Sequence, residues 1–136
     1  MENEKKTMKI PEKPAKFDLL EVDLDLVDDS SLDQIFGYFS RLHQEFSDHP
    51  ELEGFFGEIR GGLDAERVLR MAGVRKSRMV LDLSPFMETM NLAELVTVQN
   101  IAGRMAFTRQ GSQALGLAML RMFGVTIENL MILDRA

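Results

Sequence analysis

The sequence predicts a mainly helical protein, an antiparallel four-helix bundle preceded by a flexible arm and a short extended segment. Three observations predict it. Residues 30–73 carry two apolar stripes at helical spacing, folded back on each other at Asp48-His49-Pro50. Helix punctuation divides the rest, with Asn91 and Glu94 spaced as a cap and breaks at Gly73, Gly111-Ser112 and Gly124. One stretch alone, 17–27, alternates with period two.

At 136 residues the chain suits a single core. The expected division is a flexible arm at 1–16 and one helical domain at 17–136. The arm is rich in Lys, Glu and Pro and has almost nothing apolar to bury. It also lacks the apolar run of a secretory signal. There is no Cys, which excludes disulfides, thiolate metal sites and cysteine nucleophiles. A cytoplasmic location is the expectation from these two absences.

From Phe17 to Val27, Leu20, Val22, Leu24 and Leu26 alternate with Glu21, Asp23 and Asp25, the signature of a half-buried strand. A lone strand needs a partner for its backbone groups. Two candidates are a second copy of the chain and the apolar piece Met79–Leu83. The acids Asp23, Asp25, Asp28 and Asp29 lack the glycine and distal glutamate of a calcium loop, so they read as a solvated face.

The first helix starts at Ser30-Ser31, where Ser31 and Gln34 have capping-box spacing. Its stripe is Leu32, Ile35, Phe36, Phe39, Leu42 and Phe46, with His43 at the edge as a packed histidine. Asp48 and Glu51 are spaced to cap a second helix, and Pro50 suits its first turn. That helix runs from about Pro50 to Ala72 with Leu52, Phe55, Phe56, Ile59 and Leu63 on its stripe. Continuing the stripe lands on Glu66 and Arg70, an i,i+4 pair and the one candidate for a buried polar pair. If the stripe instead drifts to Val68, Leu69 and Ala72, Glu66 lies at the surface, and this is the expected course.

Gly73 stops the second helix. A short helix is expected from Ser84-Pro85 to Met90, a third long helix from Asn91 to about Phe107, and a fourth from Gly111-Ser112 through Phe123. Thr126 is placed to cap a last apolar piece, Ile127–Leu133. Ala114 to Phe123 is apolar nearly all round its helix, which marks a core or an oligomer interface. Arg109 and Arg121 leave no uncharged span long enough for a membrane. Eight of the ten methionines lie from Met71 to Met131, and Met suits adaptable surfaces. Met105, Leu117, Met119, Met122 and Phe123 are accordingly the expected interaction residues.

The net charge is −6, divided as −9 over residues 1–68 and +3 over 69–136. That balance argues against nucleic acid, since phosphate neutralisation needs a clustered basic face. Arg75-Lys76-Arg78, the one cluster, reads as a solvated turn. No nucleophile stands with a base, and no phosphate loop follows a strand.

The run Phe39 to Leu52, followed by Phe55-Phe56-Gly57-Glu58-Ile59, resembles the first helical hairpin of the rubrerythrin branch of the ferritin-like superfamily. The resemblance implies a four-helix bundle with a crossover at Val74–Met90. Members that bind two irons carry a glutamate and a tyrosine on the first helix and Glu-x-x-His on the second. Here Leu32 and Phe39 stand at the first two positions, and Leu63 and Glu66 at the others. The fold is thus expected without the iron chemistry, with no metal and no cofactor. The expected function is non-catalytic assembly or partner binding, as a homo-oligomer or with a protein partner. Two alternatives stand beside it. One is a carboxylate- or metal-dependent enzyme built on Glu66 with Glu94 or Glu128, and the other is an apolar ligand held between the third and fourth helices.

Overall fold

The structure, a computed structural model, describes residues 19–107 and 112–123. Strand β1 (Leu20–Asp23) leads through a 3-10 turn (Leu24–Leu26) into helix α1 (Asp29–Glu45), and α2 (Pro50–Met71) returns alongside it. Strand β2 (Arg78–Leu81), the one-turn α3 (Ser84–Met87), α4 (Leu92–Ala106) and α5 (Ser112–Met122) follow. The protein is mainly helical with one small sheet.

The strand expected at 17–27 is shorter in the described part, and its cause is local. Asp23 accepts a hydrogen bond from the Asp25 N–H at 3.0 Å, which bends the chain into the 3-10 turn. Of the two candidate partners, the piece around Met79 is the one used. β1 and β2 are antiparallel with Leu20 opposite Leu81, Val22 opposite Met79 and Asp23 opposite Arg78. Leu20, Val22 and Met79 enter the core, whereas Glu21 and Val80 face out.

In the hairpin, Leu32, Ile35, Phe39 and Leu42 of α1 meet Leu52, Phe55, Phe56, Ile59 and Leu63 of α2. Phe39, Phe46 and Phe55 surround Phe56 with ring centroids 5.4 to 6.1 Å away. The caps differ from the expected ones. Asp28, three residues ahead of Ser31, caps α1 by accepting the Ser31 N–H at 2.7 Å. α2 begins at His49 with no side-chain cap, neither Asp48 nor Glu51 serving. Pro50 removes one of the N–H groups a cap would have had to satisfy. At the far end Gly73 adopts φ +80°, and Val74 N–H reaches back to the Leu69 carbonyl at 2.8 Å.

α4 has the cap its sequence announces. Asn91 accepts the Glu94 N–H at 2.8 Å, and Glu94 accepts the Asn91 N–H at 2.9 Å. Asn91→Ala is therefore expected to lower the unfolding free energy by about 1 kcal/mol, read from the urea midpoint, with Asn91→Asp retaining most of it.

α4 and α5 form a second pair, and α5 also lies against β1. Their approach is set by Gly116. A Cβ there would sit 2.4 Å from the Ala106 nitrogen and 2.8 Å from the Ala102 oxygen, so no other residue permits this backbone spacing. The arm at 1–16 and the piece Ile127–Leu133 with its cap Thr126 lie outside the described residues.

Candidate functional site

The densest polar constellation is built on the end of α2. Glu66 is 3% exposed and Arg70, one turn on, has a side chain 6% exposed. Glu66 does not drift to the surface, because the hairpin stripe keeps its course and the β1 turn closes over it. Arg70 Nε donates to Glu66 Oε2 at 2.8 Å. Its Nη1 donates to the Val27 carbonyl at 2.9 Å and to Asp29 at 2.8 Å, and Nη2 donates to the Leu24 carbonyl at 2.8 Å. One guanidinium thus closes the 3-10 turn and the start of α1 onto α2.

Glu66 uses its carboxylate on the other side to accept the Ser77 N–H, at 3.2 Å to Oε1. Ser77 sits at φ +70°, a conformation uncommon for a residue with a side chain. It is held by that bond, by the Leu24 N–H donating to its carbonyl at 2.7 Å, and by its hydroxyl donating to Asp25. Arg75 also reaches Asp25, at 3.2 Å. The clasp therefore ties four segments together: the 3-10 turn, the start of α1, the end of α2 and the entry to β2.

The electrostatics follow from these bonds. Burial lowers the Arg70 pKa, and the hydrogen bonds to Glu66 and Asp29 more than offset it, so Arg70 is held charged. The Ser77 hydroxyl first, and Arg75 second, hold Asp25 below its ordinary 3.8. The Ser31 N–H, then its hydroxyl, does the same for Asp28. A carboxylate whose folded pKa is depressed adds stability above its unfolded pKa and loses it as pH falls through the folded value. Stability is thus expected to fall as pH drops below about 4. Asp28→Asn, which keeps a cap but does not titrate, should flatten that fall in urea titrations made across the range.

In the clasp the oxygens of Glu66 accept from Arg70 and from the Ser77 N–H. Glu94, its expected companion, sits in the α4 cap and lies 3.7 Å from His49 at the start of α2. Residues 49 and 66 are 17 positions apart along α2, about 25 Å, so Glu66 and Glu94 belong to opposite ends of the helix. Glu128 lies outside the described residues. Half-buried His43 donates from Nδ1 to the Glu53 carbonyl at 3.0 Å and packs on Gly57. Among the described residues no three His, Asp or Glu side chains are grouped to hold a metal. The positions the resemblance assigns to iron ligands, Leu32, Leu63 and Glu66, are all buried, two of them apolar, and Phe39 at the tyrosine position is buried as well.

The residues expected to form an interaction face are placed differently. Met105, Met119 and Met122 are buried in the core, and Leu117 and Phe123 are half-buried against it. They fill the space around β1 and between α4 and α5, which a helix apolar on most sides supplies. The seam between α4 and α5 closes on Gly116, so it is not the expected ligand gap. An open cleft of about 500 Å³ lies instead beside β1, lined by Leu19, Glu21, Ala118, Arg121 and Met122.

What the sequence reading missed is the outward face of α4. Leu92 is 76% exposed, Val96 44% and Phe107, just past the helix, 65%. At about 100° per residue they share an arc of about 60°. The signal was present in the spacing 92, 96, 107, but it was obscured by the equally apolar inner face, Leu95, Val98, Ile101 and Met105. Among the described residues no helix is long and apolar enough to cross a membrane. Compared with protein-family models, curated proteins and solved structures, the chain matches none.

Proposed function

We infer that the chain is a non-catalytic helical protein that works by associating with another protein surface, and that the outward face of α4 is where it does so. The observation that carries this reading is the exposed apolar row Leu92, Val96 and Phe107 on a well-capped helix. Two further facts support it. Among the described residues the buried charged cluster is spent on holding segments together, and Met105, Met119 and Met122, expected to serve as a surface, are core. The ferritin-like hairpin is part of the same reading, a scaffold of that type in which Leu32, Leu63 and an isolated Glu66 occupy the metal positions.

Gel filtration of the tagged chain tests the reading, both in cell extract and after purification, wild type against Val96→Asp. The wild type is expected to elute larger than one chain in at least one of the two settings, and the variant to shift toward one chain. Elution as a single chain in both settings contradicts it. A surface substitution of this kind is expected to change folding stability by no more than about 0.5 kcal/mol, which urea unfolding checks.

A further inference from the structure

We draw no further inference here: the strongest candidate, the open cleft beside β1, is lined among the described residues by one acid, one base and apolar groups, Glu21, Arg121, Leu19, Ala118 and Met122, and nothing in the structure shows what covers it.

Discussion

Arg70→Ala is expected to lower the unfolding free energy by about 3–5 kcal/mol, a large part of the 5–15 kcal/mol typical of a domain. Removing the guanidinium leaves Glu66 as a buried carboxylate with only the Ser77 N–H for company, and it strips donors from the Leu24 and Val27 carbonyls. Two comparisons separate charge from geometry. Arg70→Lys keeps the charge but cannot span acceptors on three segments, so a loss of about 1–3 kcal/mol is expected. The double variant Glu66→Gln with Arg70→Met removes both charges and is expected to lose less than the sum of the single changes, because Arg70→Met alone leaves Glu66 a buried carboxylate without its cation, and Glu66→Gln alone leaves Arg70 with Asp29 as its counter-ion. Urea unfolding of wild type, Glu66→Gln, Arg70→Met and the double variant closes the cycle, with Arg70→Ala and Arg70→Lys measured beside it. Strict additivity would mean that the pair is not coupled.

Gly116→Leu is the second large effect. Its Cβ would already stand 2.4 Å from a backbone nitrogen and 2.7 Å from the Met105 carbonyl carbon. Both are backbone atoms, and neither can swing aside as a side chain could. α4 and α5 must therefore separate along their shared seam. The usual cost of overpacking is about 1–3 kcal/mol, and a rigid neighbour places this site at or above the upper end. Even Gly116→Ala, which gains about 1 kcal/mol in helix propensity, is expected to unfold at a lower temperature than the wild type. Gly103→Ala is the opposite case, with the same propensity gain and open space, and should melt higher in dilute solution. Differential scanning calorimetry of the two alanine variants reads both signs.

The helices were legible in the sequence because their signals are local. Asn91 and Glu94 announce a cap that the structure forms in full, and the stripes of residues 32–42 and 52–63 are the buried ones. The partner of the extended segment was legible only as one of two choices, since strand pairing joins residues 20 and 81, far apart in sequence. Glu66 was misjudged for the same reason. A charged residue on a stripe reads as drift until the acceptors that surround its partner are known, and those acceptors, Leu24, Val27 and Asp29, come from a distant turn. The C-terminal helices were hardest to read. When a helix is apolar on most sides, its composition does not say which side is inside. Met105, Met119 and Met122 turned inward, and Leu92, Val96 and Phe107 were left out.

That outward row carries the functional account, and sedimentation velocity tests it most directly. Wild-type chain and Val96→Arg would be compared from low micromolar to near-millimolar concentration. The account predicts that the wild-type sedimentation coefficient rises with concentration toward that of two chains, while Val96→Arg stays at one chain with an unchanged urea midpoint. A variant that associates as strongly as the wild type would contradict it, as would a wild type that remains a single chain over the whole range and also elutes as one chain in cell extract.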